Sequence, residues 1–107
     1  MINAKYSKNG VFCDPYYVEK GESIQLTYEG VLAEQGAQMI YARIGYGPND
    51  GWTNTGEYEM IRSRDGKFEI DIPITEVGNL NVAFKDDGDN WDNNNGQNYI
   101  FPSKVTE

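Results

Sequence analysis

Along most of the chain, apolar and polar side chains alternate with a period of two, broken by short clusters of Gly, Asn, Asp and Pro. Such alternation marks strands with one face buried and the other in water. In "ESIQLTYE", Ile24, Leu26 and Tyr28 fall on one face, and Gln25, Thr27 and Glu29 on the other. "QMIYARIG" sets Ile40, Ala42 and Ile44 inward and leaves Tyr41 and Arg43 outward. "KFEIDI" puts Phe68, Ile70 and Ile72 inward, and "NLNVAFK" does the same with Leu80, Val82 and Phe84. Shorter strands are predicted at residues 11–18, 58–62 and 98–101, joined by turns at "KNG", "GPNDG", "RDG" and "VGN". Pro73 follows the inward Ile72 and belongs at a strand end or edge, because it has no N–H for a ladder.

Only "VLAEQGAQM" offers helix formers, and Gly36 interrupts them after a turn or two. The strand spacing, with no rhythm of strand and helix, predicts an all-β chain folded as an immunoglobulin-like two-sheet antiparallel β-sandwich. A length of 107 residues fits one domain with a modest core. The expectation is a single module over residues 1–107, its core about residues 9–102, with frayed ends near residues 1–8 and 103–107.

Charge removes several partner classes. The net charge is −8, from 17 acidic and 9 basic residues, and no basic run can neutralise phosphates. Neither nucleic acid nor an anionic membrane is expected as a partner. The N-terminus lacks the apolar stretch of a signal peptide, and no apolar run is long enough to span a bilayer. Location is therefore expected to follow context, extracellular if the chain is cut from a secreted enzyme and cytoplasmic if it is complete. There is no histidine, which removes the commonest general base and zinc ligand, and Cys13 is the lone cysteine.

Against this background two polar loops stand out, because each carries one of the two tryptophans. "GYGPNDGWTN" (residues 45–54) follows the "MIYARI" strand and holds Trp52. "DDGDNWDNNNGQNY" (residues 86–99) follows "NLNVAFK" and packs four Asp and five Asn around Trp91. Indoles among amides suit sugars. The C–H face of a pyranose lies flat on an aromatic ring, while its rim of hydroxyls needs groups that both give and accept hydrogen bonds. The competing reading makes Trp52 and Trp91 packing anchors for long loops. Tyr41 and Arg43 point outward on the strand that feeds the Trp52 loop, and Tyr46 lies in that loop.

Asp86, Asp87, Asp89 and Asp92 offer carboxylates for a structural calcium, although the spacing fails the EF-hand pattern. A solvated turn held by Asx hydrogen bonds explains them more simply, so no cofactor is expected. A glycosidase carboxylate pair can be found by chance in so acidic a chain, and so small a core leaves little room for a catalytic cleft.

The stretch "AFKDDGDNWDNNNGQNYIF" resembles the C-terminal signature of the starch-binding carbohydrate-binding modules of family 25 and the closely similar families 26 and 53. "IYARIGYGPNDGWT" and "FEIDIP" are similar to upstream segments of that family, so the resemblance runs from about residue 21 to 101. It implies a β-sandwich that binds α-1,4-glucans (starch, glycogen, malto-oligosaccharides) without catalysis, commonly as part of a chain with an amylase-type catalytic domain. Carried over by position, Trp52 and Trp91 form the stacking platform, with Asn93, Asn94 and Asn98 as hydroxyl partners. Where many relatives have an outward histidine, this chain has Arg43, which donates but never accepts a hydrogen bond. Tyr46 or Tyr41 then supplies the third contact. The rival from another class is an immunoglobulin-like protein-interaction module that uses the same aromatic loops as hot spots.

Overall fold

A computed structural model describes residues 6–103. The elements in chain order are β1 (Tyr6–Lys8), β2 (Val11–Asp14), β3 (Ser23–Tyr28), α1 (Val31–Glu34), β4 (Ile40–Tyr46), β5 (Thr53–Glu59), β6 (Ile61–Arg62), β7 (Phe68–Pro73), β8 (Leu80–Asp86), β9 (Trp91–Asp92) and β10 (Tyr99–Phe101). They form two antiparallel sheets, ordered β1-β2-β3-β7-β6 and β10-β8-β4-β5, with β9 added along β8. The chain is an all-β sandwich, as the alternation predicts.

The inward sets named from the sequence meet between the sheets. Ile24, Leu26, Tyr28, Phe68 and Ile72 of one sheet face Ile40, Ala42, Ile44, Leu80, Val82 and Phe84 of the other, all buried. Tyr28 stacks on Phe84 across the gap with ring centroids 4.3 Å apart, and Tyr99 meets Phe84 edge-on at 5.6 Å. Aromatic pairs in such geometry add to the area they bury. Ile70 is only half-buried and packs against this core from its margin.

The differences from expectation have local causes. β2 ends at Asp14 rather than at residue 18, because Pro15 cannot donate to the ladder. Val18 instead makes an isolated parallel bridge to Ser103. The 58–62 segment divides into β5 and β6 around the buried Met60, and β5 begins as early as Thr53. Its sequence "TNTGEYE" is mostly exposed, so no apolar period announces it.

Residues 6–8, expected to fray, form β1. Asn9 and Gly10 have φ of 54° and 80°, the left-handed pair of a type I′ hairpin turn, and they set Lys8 against Val11. The remaining expected frayed ends, residues 1–5 and 104–107, lie outside the described residues. Among the described residues no helix is long and apolar enough to cross a membrane.

Candidate functional site

The inward run of β4 is Ile40, Ala42, Ile44 and Tyr46, so Tyr41, Arg43 and Gly45 face away from the core. On β8 the corresponding outward set is Asn81, Ala83 and Lys85. Residues paired across a ladder project to the same face. The register therefore lays out three rows on the outer face of the second sheet. Glu59, Tyr41, Lys85 and Trp91 run across β5, β4, β8 and β9. Glu57, Arg43 and Ala83 form the next row, and Gly45 with Asn81 forms the third.

Trp52 joins this face through Gly45. A Cβ at Gly45 would stand 2.6 Å from the Trp52 Cβ and 2.7 Å from its Cε3, so only a bare backbone lets the indole lie there. The Trp52 Nε1–H donates to the Asn49 carbonyl at 2.9 Å, and the side chain is half-buried. Trp91 is 47% exposed. Both tryptophans thus share one sheet face with Tyr41 and Arg43.

Charged groups lie beside them on the same face. Glu57 Oε1 forms ion pairs with Arg43 Nη1 at 3.7 Å and with Lys85 Nζ at 3.8 Å. The same Lys85 Nζ lies 5.7 Å from the Tyr41 ring centroid and 5.7 Å from that of Trp91. Partial desolvation raises the Tyr41 hydroxyl pKa above its ordinary value, helped by Glu59, Asp87 and Glu57. A face with aromatic planes, cations and carboxylate oxygens can stack a ring and satisfy hydroxyls of either polarity.

The two tryptophan loops touch. Asn98 Nδ2 donates to Asn49 Oδ1 at 2.7 Å, although the residues are 49 positions apart. Other predicted site residues serve the loop itself. Asn93 Oδ1 accepts the Gly96 N–H at 2.9 Å. Asn94 Nδ2 donates to the Asn98 carbonyl at 3.0 Å, and its Oδ1 accepts Asn9 Nδ2 at 3.3 Å. Asn94 also lines a polar cavity of about 460 Å³ with Asn9, Glu29, Glu34 and Asp92, none of which belongs to the three rows.

Tyr46 is a correction to the sequence reading. It is the last residue of β4 rather than part of the loop, is 2% exposed, and its hydroxyl accepts the Thr75 N–H at 3.2 Å. The alternation of residues 40, 42 and 44 simply continues to 46.

The loop acids shape turns and bind tyrosines. Asp86 accepts the N–H groups of Gly88 and Asn90 at 2.8 and 2.9 Å and Asn90 Nδ2 at 3.0 Å, and the Asn90 bonds hold its carboxyl below the ordinary carboxylate range. Asp92 accepts the hydroxyls of Tyr28 at 2.7 Å and Tyr99 at 3.0 Å. Among the described residues no group of three or more His, Cys, Asp or Glu is arranged to hold a metal. Burial pushes the Cys13 thiol up to about 12, which makes it a poor nucleophile at neutral pH.

Lys85, Glu57, Asn81 and Asn49 were not singled out by sequence. Lys85 and Asn81 were open to the same alternation that set Leu80, Val82 and Phe84 inward. Glu57 was hidden because β5 has no apolar period to read.

Comparison with known proteins adds one relative. Over 86 residues, 79% of this chain, the sequence is 34% identical to an α-amylase of Clostridium acetobutylicum. The matched part is 11% of that protein, so the chain spans about a tenth of its curated relative. No family model matches the chain, and no solved structure matches it.

Proposed function

We propose that the chain is a non-catalytic module that binds α-1,4-glucans on the outer face of the second sheet. The observation that carries the reading is the placement of Trp52, seated on Gly45, and Trp91, paired with Lys85, on one open face. Their backbone anchor points are about 13 Å apart along the strands and about 10 Å apart across them, from four residues and two strand spacings. The platform therefore runs diagonally over the small Ala83, with room for about two or three consecutive sugar rings.

Each indole takes the C–H face of one glucose. Tyr41 and Arg43 flank that diagonal on β4 and meet the hydroxyl rim, Glu57 and Lys85 support Arg43 and Trp91 from the neighbouring strands, and Asn93, Asn94 and Asn98 keep the neighbouring loop in shape. The curve of an α-1,4 chain lets both indoles be used, whereas a flat β-1,4 chain meets one of them well. After association costs, a dissociation constant on the order of micromolar to millimolar is expected. That suffices on a polymer that repeats its sites.

The α-amylase relative supports the substrate class, and its far greater length supports the view that such a module accompanies an amylase-type catalytic domain in a longer chain. Titrating maltotetraose and cellotetraose against wild type, Trp52→Ala and Trp91→Ala tests the reading. Preference for maltotetraose, with affinity lowered but still measurable in each folded variant, is the expected result. Full maltotetraose affinity in both variants would sink it. Retardation on a native gel containing soluble starch separates it from a protein-binding module, which would run unshifted.

A further inference from the structure

We propose that Asn81 and Asn98 are positioning residues for Trp52, holding the 47–52 loop in the shape that seats the indole on Gly45 before any ligand arrives. The proposal rests on the platform reading above and adds how one half of the platform is built.

Asn81 is the anomaly that points to it. It sits between Leu80 and Val82 in the central strand β8 and is fully buried. A primary amide in such a place is costly unless its groups are paired. Its Nδ2 donates to the Gly47 carbonyl at 2.9 Å and the Gly45 carbonyl at 3.4 Å, while its Oδ1 has no hydrogen-bond partner among the described residues. An apolar residue would leave no orphan acceptor, so what Asn81 contributes is its pair of donors.

Those donors act where the chain leaves the sheet. The β4–β5 register shifts between Ile44 and Tyr46, and the two carbonyls held by Asn81 flank Tyr46 at that point. The Gly47 N–H is held as well, by the Asn79 carbonyl at 2.9 Å. Gly47 is thus fixed through both of its polar groups, and the next residues close a turn in which the Gly51 N–H meets the Pro48 carbonyl at 3.0 Å.

Asn98 holds the loop from its other side. It donates to Asn49 Oδ1, and the Asn49 carbonyl accepts the Trp52 indole N–H. Asn98 is itself pinned, with its N–H on the Asn93 carbonyl at 2.7 Å and its carbonyl on Asn94 Nδ2 at 3.0 Å. The indole is therefore clamped through its Cβ and Cε3 side against Gly45 and through its N–H on a residue fixed from the second loop. A ring ordered in advance does not lose that freedom again on binding.

The test uses the whole chain. Maltotetraose affinity is measured for wild type, Asn98→Ala, Asn81→Leu and Trp52→Ala, and for Asn98→Ala combined with Trp52→Ala. Fluorescence anisotropy decay of Trp52 is measured in a Trp91→Phe background with and without Asn98→Ala. Asn98→Ala should keep the fold, weaken binding about threefold to tenfold and speed indole motion, with no further loss once Trp52 is gone. Asn81→Leu should weaken binding more; if it does not fold, Asn98→Ala carries the test. An equal loss with and without Trp52 would overturn the proposal in favour of direct sugar contact, and unchanged indole motion would overturn it outright. If wild type ignores maltotetraose, the platform reading fails, and the anisotropy result still decides whether Asn98 holds Trp52.

Discussion

Lys85 Nζ stands 5.7 Å from the Trp91 ring centroid, across the ladder that pairs the two residues, and Glu57 Oε1 holds the same ammonium at 3.8 Å. An indole that is 47% exposed gains from this cation an orientation it would otherwise lack. A cation over an exposed aromatic is worth about 0.5–1 kcal/mol. Lys85→Met, which keeps most of the stem and removes the charge, should therefore lower maltotetraose affinity about twofold to fivefold. Isothermal titration checks this. Combining the change with Trp91→Ala should abolish most of the effect, because the lysine acts through the ring.

Gly45 permits the Trp52 half of the proposed platform. A methyl group there would meet the Trp52 Cβ at 2.6 Å, a separation that neither strand β4 nor the clamped loop can relieve cheaply. Gly45→Ala is expected to push the indole off the sheet, to cost about 1–3 kcal/mol of stability and to weaken glucan binding about as much as Trp52→Ala does. Urea denaturation and maltotetraose titration measure the two effects. Gly56→Ala is the control, since its nearest neighbour would be Tyr58 Cε1 at 3.7 Å and binding should not change.

The four main strands were legible because their inward positions are large and apolar, as at Ile24, Leu26 and Tyr28 or Leu80, Val82 and Phe84. Trp52 and Trp91 were legible for the opposite reason, as indoles out of place in polar loops. What stayed hidden depends on pairing. β9 has two residues and exists because Lys85 and Phe84 face Trp91 and Asp92. Asn81 reads as a solvated outward position in "NLNVAFK", yet it is buried because the 45–47 backbone, far away in sequence, returns to its donors. Tyr46 was misread for want of following one alternation a step further.

Acid should act on stability through Asp86. Its bonds from Asn90 and Gly88 hold its folded pKa below the ordinary 3.8, so the carboxylate's stabilisation is complete above that value and is lost as pH falls through the folded pKa. Asp86→Asn should be less stable than wild type at neutral pH, with the gap closing below about pH 4. Chemical denaturation at a series of pH values measures the gap. Glucan binding should stay flat between about pH 5.5 and 9, since the chain has no histidine and the Tyr41 pKa is raised rather than lowered.

Asp92 ties the Trp91 loop to the core through two buried tyrosines. Its carboxylate accepts hydroxyls from Tyr28 and Tyr99, both fully buried and from opposite sheets, and Tyr28 Oη also accepts the Leu32 N–H at 3.1 Å. Asp92→Ala strands two buried donors, at about 1–3 kcal/mol each, and should cost about 2–4 kcal/mol in urea denaturation. Tyr28→Phe together with Tyr99→Phe removes the donors instead of stranding them. Asp92→Ala on that double background should then cost far less. Burial, reinforced by Asp92, raises the Tyr28 pKa above its ordinary value of 10.0. The stability this represents is complete below pH 10 and is lost as the pH rises towards the folded pKa, because only the unfolded chain ionises the phenol freely. Tyr28→Phe should accordingly flatten the loss of stability measured above about pH 10.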